Sequence, residues 1–372
     1  MAESKKEVIS KIMLELKKDS KYMYREGLEK VMSDMQIWNL GHIEISYMRN
    51  LLAVSDAWIV YAVNRLGACD LGILSTFLLN LSRLAPNKPI PSVEISSLIN
   101  RVSLLAREGC LRAFTYRTDV DGRSVLTHVY TASDVGVKWM NAILDRQQER
   151  ANPVTSMYPL DDTLRILACD YVASALYDNK YVKDFVTNKE LYIGDKYPTL
   201  TTYAQLYFRR DDIDYMLYVH PLFFNFSSKH YTDGEYKNRL KQEIGMLSRH
   251  INSKKMKEIY KDMKVVFVVE NTKGLANAIN YILKYAGKDF LESQCWFTSE
   301  SVIYFNKMDV KRSFLSIRIG ADNSPIVDIA AHDVFLKGEG ILMRALSNGE
   351  IGEINEDEEF FEASEMPDEE DE

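Results

Sequence analysis

The sequence predicts an α/β (α+β multi-domain) chain, and three observations carry that expectation. Residues 56–144 read as three helices, a hairpin and a further helix. Residues 160–298 alternate helical and strand-like segments, the order of an α/β domain. The final stretch, Glu350–Glu372, holds thirteen acidic side chains and no basic one. The 372 residues allow two or three domains, and a hydrophobic share of 46% is ordinary for a chain with full cores. The expected division is a basic helical arm over 1–30, a helical and hairpin unit over 31–150, an α/β domain over 151–345 and a tail over 346–372.

The arm comes first. Val8, Ile12 and Leu16 recur at helical spacing among Lys5, Lys6, Lys11, Lys17, Lys18 and Lys21. The segment has neither the length nor the purity of a membrane span, and it lacks the cleavage site of a signal peptide. A solvated helix is the plain reading, and a basic arm adding phosphate contacts is the sharper one.

Two apolar helices follow, Asp56–Leu66 and Asp70–Leu84. Pro86, Pro89 and Pro91 break the chain before an amphipathic helix over Val93–Glu108, with Ser92 as its expected N-cap and Gly109 as its stop. Ile95, Leu98, Ile99, Val102 and Leu105 form its inward face, with Leu104 flanking. Two strand-like runs, 111–117 and 125–130, meet at Asp121-Gly122, a hairpin signal because both residues tolerate positive φ. A last helix opens at Thr131-Ala-Ser-Asp. This order is the plan of a winged helix. Its partner is expected to be double-stranded DNA, although many such units only dock proteins. Glu94, Ser97, Asn100, Arg101 and Arg107 are placed on the outer face of the third helix, and Ser96, Ser97, Asn100, Arg101 and Arg107 are its candidate DNA contacts, because Ser, Asn and Arg reach phosphates or base edges. Arg112, Arg117 and Arg123 lie on the hairpin and suit a wing along the backbone or minor groove.

Charge qualifies this reading. The formal net charge is −8, and removing the thirteen acids of Glu350–Glu372 leaves +5 on residues 1–349. The body is mildly basic. The tail is expected to be disordered, because like charges repel and little apolar surface is present to bury. It serves solubility, or acts as a nucleic-acid mimic that competes for the basic surface, or forms a short acidic-aromatic docking peptide centred on Phe360 and Phe361. Four cysteines (Cys69, Cys110, Cys169, Cys295) lack metal-ligand spacing, so no zinc site and no cofactor is expected. Reduced thiols and a cytoplasmic location follow by default. No glycine-rich phosphate loop or nucleophile elbow occurs, which argues against nucleotide hydrolysis.

Beyond the connector 147–159, a helix over Leu160–Tyr177 is expected to extend toward Phe185. Strand-like runs follow at 191–193, 199–208 and 215–224, then a long basic helix over Gly234–Tyr260. Lys264–Glu270 is a β-branched run that reads as a buried parallel strand. A helix over Thr272–Lys288 and a strand over Gln294–Thr298 complete the order. The basic helix carries seven bases (Lys237, Arg239, Lys241, Arg249, Lys254, Lys255, Lys257) against Glu235, Glu243 and Glu258. Lys254 and Lys255 are its candidate DNA contacts. Six aromatics cluster nearby: Tyr215, Tyr218, Phe223, Phe224, Phe226 and Tyr231. Most suit core packing, and an open sheet face would let some stack on bases.

With the stretches "RVSLLAREGCLRAF" and "KVVFVVENTKGLANAINYILK", this element order resembles the replication-relaxation family of plasmids and conjugative elements over roughly residues 50–305. The resemblance implies a winged helix followed by a restriction-endonuclease-like domain, with a relaxase or replication protein as a partner. Active endonucleases of that fold hold Mg²⁺ between carboxylates on the second and third strands. The matching positions here are Pro198-Thr199 and the region Leu217–Pro221, and neither carries a carboxylate. The lead reading is therefore a non-catalytic DNA-binding accessory protein, with a homodimer compatible. A divergent metal-dependent nuclease using Asp211, Asp214 and Glu270 is the second reading, and a scaffold acting through its acidic tail is the third.

Overall fold

The structure is a computed structural model that describes residues 4–23, 29–31, 52–120, 123–147, 160–177, 179–191, 200–224, 232–306 and 310–336. The acidic tail, most of the 147–159 connector, Pro198, Thr199, Phe226 and Tyr231 lie outside these residues.

The first unit follows the expected order: α2 (Val54–Leu66), α3 (Leu71–Leu84), α4 (Ile95–Arg107), β2 (Leu111–Val120), β3 (Arg123–Ala132) and α5 (Asp134–Leu144). Asp70 caps α3 by accepting the Ile73 N–H at 2.8 Å, and Ser133 caps α5 by accepting the Gly136 N–H at 2.9 Å. The register Val120↔Arg123 leaves a two-residue link, the length the Asp-Gly pair requires. The first turn of α5 rides directly over Cys110. A Cβ at Gly136 would lie 2.1 Å from the Cys110 carbonyl oxygen, so only glycine fits. β1 (Glu29–Val31) pairs with the outer side of β2. An isolated bridge between Cys69 and Tyr130 ties the α2–α3 link to β3.

One cap differs from expectation. Glu94, not Ser92, occupies the N-cap position of α4, and Ser92 accepts the Glu94 N–H at 3.3 Å. The Ser75 hydroxyl donates to the Val93 carbonyl at 2.9 Å, which holds this residue extended against α3 and delays the helix.

The second unit is a seven-stranded mixed sheet in the order β10-β9-β8-β7-β6-β5-β4. α6 (Leu160–Leu176) leads into β4 (Val182–Leu191), β5 (Leu200–Arg210) and β6 (Ile213–Pro221), an antiparallel meander. α7 (Asp233–Asn252) and α8 (Lys254–Ile259) cross to β7 (Asp262–Val268), parallel to β6. α9 (Thr272–Tyr285) and α10 (Lys288–Gln294) cross to β8 (Cys295–Thr298), parallel to β7. After α11 (Glu300–Phe305), β9 (Leu315–Ile319) and β10 (Pro325–Ile329) close the edge antiparallel.

The pleat divides the core. Leu217, Val219, Val266 and Val268 face α6 and the first unit, whereas Met216, Tyr218, Val265 and Phe267 face α7, α9 and α10. With both faces covered, the central β7 reads as a continuous apolar run, as expected.

Four expectations change here. Phe185 is not in an extension of α6 but in β4, paired with Leu206. The long basic helix breaks at Ser253, whose side chain accepts the Met256 N–H and caps α8. The helix from Thr272 stops at Tyr285, and Gly287 at φ 91° starts a separate α10. The arm is also not free. α1 (Lys5–Glu15) forms behind a Ser4–Glu7 capping box, and Val8, Ile12 and Leu16 are buried in the sheet core. Past α1 the chain is bonded into the sheet unit, with Thr272 N–H to the Leu16 carbonyl and Ser20 N–H to the Glu270 carbonyl, both at 2.8 Å.

Candidate nucleic-acid interface

The third helix of the first unit, α4, is amphipathic because its apolar residues recur every three to four positions. Leu98, Val102 and Leu105 are fully buried, and Ile99 and Leu104 pack partly against the core. Ser96, Ser97, Asn100, Ser103 and Arg107 are exposed. The outer face of α4 is thus short and polar along its first turns, with the exposed Glu94 carboxylate at its N-cap.

Arg101 departs from that expectation. Its side chain is 35% exposed, and it grips Asp56 of α2, which is fully buried. The Nε–Oδ1 distance is 2.7 Å, and Nη2 bonds the other oxygen. The hydrogen bond to Asp56 raises the Arg101 pKa further. Asp56 also accepts the Ala53 N–H at 2.7 Å, so one carboxylate caps α2 and anchors α4. A periodicity argument cannot see this, because Arg101 reaches around the helix to a partner 45 residues away. The guanidinium is committed to the fold rather than presented outward.

On the hairpin, Arg112 is half-buried beside Thr131. Arg117 and Arg123 hold strand positions opposite Leu126 and Val120, and their side chains lie outside the described ones. Arg107 is 72% exposed and 3.3 Å from Glu108. In the second unit, Lys255 is exposed, and Lys254 stands at the start of α8, 3.8 Å from Glu258.

A second polar centre sits where β5 begins and β6 ends. Tyr203 and His220 are cross-strand neighbours, with ring centroids 5.3 Å apart and edge-on. Arg165 of α6 is 1% exposed and donates through Nη2 to Glu243 of α7 at 2.8 Å. Glu243 also receives Arg239 Nε at 2.9 Å and lies 3.3 Å from His220 Nε2. Arg239 Nη2 reaches the Tyr203 hydroxyl at 3.2 Å. Burial pushes the Glu243 carboxyl up, but Arg165, His220 and Arg239 outweigh it and hold the group well below the usual carboxylate range. Burial lowers the His220 pKa, with Glu243 opposing, so at neutral pH a neutral imidazole donates to Glu243.

Sequence reading missed this cluster, counting Arg239 and Glu243 among the charges of a basic helix offered to nucleic acid. The signal was present. Tyr236, Leu240, Ile244, Leu247 and Ile251 form the buried stripe of α7, and Glu243 falls within it. Arg165 likewise interrupts the apolar run of α6.

The residues of the nuclease reading do not meet. Asp211 and Asp212 form the β5–β6 turn at φ 51° and 59°, and Asp214 pairs with Arg209 at 2.6 Å. Glu270 lies past the far end of β7, accepting the Phe224 N–H at 2.8 Å. Because β6 and β7 run parallel, the three aspartates and Glu270 occupy opposite ends of the sheet. Among the described residues, no group of three or more His, Cys, Asp or Glu is arranged to hold a metal ion, and no helix is long and apolar enough to cross a membrane. Of the clustered aromatics, Tyr218 and Phe223 are buried, and Tyr215 and Phe224 are half-buried. Comparison with protein-family models, curated proteins and solved structures returned no match.

Proposed function

We propose that this chain is a non-catalytic protein that binds duplex DNA through a winged helix formed by α2–α5, with α4 as the recognition helix. The observation that carries the reading is the exposed face of α4, where Ser96, Ser97 and Asn100 stand at the N-terminal end of a helix whose inner face is fully apolar. The Asp56–Arg101 pair fixes α4 against α2, which favours a rigid reading head. The hairpin β2–β3 supplies the wing, and the Cys69–Tyr130 bridge ties its base to the helices.

The α6–β4–β5–β6–α7–β7 order supports a restriction-endonuclease-like scaffold for the second unit. In such a scaffold, the start of β5 and the end of β6 are where an active enzyme gathers its carboxylates. Here those positions bear Tyr203 and His220 inside an ion-pair cluster whose anion, Glu243, already serves three bases. This supports the non-catalytic reading. The role is then that of an accessory factor of a mobile element, supporting replication or mobilisation with a relaxase or replication protein as partner.

The test is a titration of the protein against random and element-derived duplex across salt, with Asn100→Ala beside it. Expected is a salt-dependent affinity that is higher for the cognate site and weakened in the variant. Equal, negligible binding to every duplex overturns the reading. Mg²⁺-dependent nicking of supercoiled plasmid overturns its non-catalytic part.

A further inference from the structure

The corner where α8 turns into β7 is basic with an apolar centre. Lys255, Lys257 and Lys261 are exposed, and none makes an ion pair among the described residues. Between them Ile259 is 48% exposed. The Lys261 N–H donates to the Asp214 carbonyl at 2.8 Å, which brings Ile213, 42% exposed, alongside. Acids also border this surface, but Asp214 pairs with Arg209, Asp211 with Arg210 and Glu258 with Lys254, so Lys255, Lys257 and Lys261 outnumber the remaining exposed acid, Asp212, around the two isoleucines. Its chemical complement is an acidic segment with large apolar side chains.

This chain carries such a segment. Phe360 and Phe361 follow the acidic run Glu356-Asp357-Glu358-Glu359 and precede Glu362. The last described turn, 333–336, is anchored at the same corner. His332 Nε2 lies 3.1 Å from the carboxylate of Asp262, the residue after Lys261, and the Val334 and Phe335 N–H groups donate to His332 Nδ1. Thirteen residues separate Leu336 from Glu350. A chain of that length spans roughly 20 Å as a random coil and about 45 Å at full extension. The α8 corner is within easy reach, and such tethering gives an effective concentration of about a millimolar.

We propose that the acidic-aromatic tail docks on this corner, with Phe360 and Phe361 on Ile213 and Ile259 and the flanking carboxylates on Lys255, Lys257 and Lys261. The tail thereby competes with phosphate for these lysines and sets how strongly the second unit holds a polyanion. The regulatory meaning rests on the duplex-binding reading above, whereas the docking itself does not.

Zero-length carbodiimide crosslinking of the full chain, mapped by mass spectrometry, tests the docking without any nucleic acid. Expected are salt-sensitive crosslinks from Glu356–Glu362 to Lys255, Lys257 or Lys261, reduced in the Phe360→Ala/Phe361→Ala variant. Crosslinks scattered evenly over surface lysines overturn the proposal. In parallel, heparin binding is compared between the full chain and a chain ending at Gly349. Truncation is expected to raise heparin affinity about tenfold at low salt and to steepen its salt dependence. The gain should vanish when Lys255, Lys257 and Lys261 are replaced by Glu. Should that variant fold poorly, replacing Glu356, Asp357, Glu358 and Glu359 by their amides should reproduce the truncation. Unchanged heparin affinity in both tail variants overturns the competition.

Discussion

Glu243→Gln removes the carboxylate that Arg165, Arg239 and His220 share, and its cost can be worked from the geometry. At 2.8 Å, the Arg165–Glu243 attraction is about 6 kcal/mol gross at an effective dielectric of about 20. Taking the 1% exposed guanidinium out of water consumes several kcal/mol of that gain. Removing the anion leaves this cost without its return, so a loss of about 3–5 kcal/mol of unfolding free energy is expected. Arg165→Met costs less, because Glu243 keeps Arg239 and His220. Urea unfolding at pH 7, followed by circular dichroism and tryptophan fluorescence, reads both. The double variant Arg165→Met/Glu243→Leu should recover part of the loss, since an apolar pair of similar volume carries no desolvation penalty. A loss below about 1 kcal/mol in Glu243→Gln, the level of an exposed pair, would refute the reasoning.

Three further outcomes are expected. Arg101→Ala should lower stability by about 1–3 kcal/mol, because buried Asp56 loses its cation, and it should do so without duplex present, whereas Asn100→Ala should leave the melting temperature unchanged and weaken duplex binding. Asp170 of α6 is buried with both oxygens unbonded among the described residues, and burial raises its pKa well above the usual range. The unfolded chain then releases this proton first. The stability it contributes is complete below the unfolded pKa near 3.9 and falls by about 1.4 kcal/mol per pH unit as pH rises toward the folded value. Asp170→Asn should remove that slope, and parallel stability profiles of variant and parent between pH 5 and 7 would contradict it. Gly136→Ala should cost about 1–3 kcal/mol, at the upper end because the obstructing atom is the Cys110 backbone carbonyl, and thermal melts would reveal a neutral effect if the turn could shift.

Local chemistry was the legible part of the sequence. The paired strands on either side of Asp121-Gly122, the helices opening near Asp70 and Thr131 and the buried run of β7 each announce themselves within a few residues, and the structure places these elements as read, although the one cap read from sequence, Ser92, gives way to Glu94. Pairings across the chain were not legible. Arg101 looks outward on a helical wheel, and only the fold brings Asp56 beneath it. Glu243 and Arg239 read as members of a charged helix until α6 supplies Arg165. The arm failed for a related reason. Val8, Ile12 and Leu16 specify an apolar stripe, but a stripe does not name the surface that covers it. β9 and β10 went unread because each has only five residues, too few to stand out from loop even though Leu315-Ser-Ile-Arg-Ile alternates.

The contact between the two units has a consequence for how the molecule comes apart. Phe77 of α3 stacks on Tyr177 at 4.9 Å and meets Phe185 of β4 at 5.7 Å. Asn80 donates to the Ser174 carbonyl at 2.7 Å, and the Tyr22 hydroxyl donates to Asp70 at 2.6 Å. One apolar cluster runs from Trp58 to Phe335 without a seam. A fragment cut at residue 150 would carry Phe77 and Asn80 to the surface, and a fragment beginning there would strip α6 of its cover. The chain should therefore melt in a single transition, and neither half should survive as a transplantable cassette. A force applied at the outer face of α4 would be borne by the whole sheet, as a blade's load is borne by its handle.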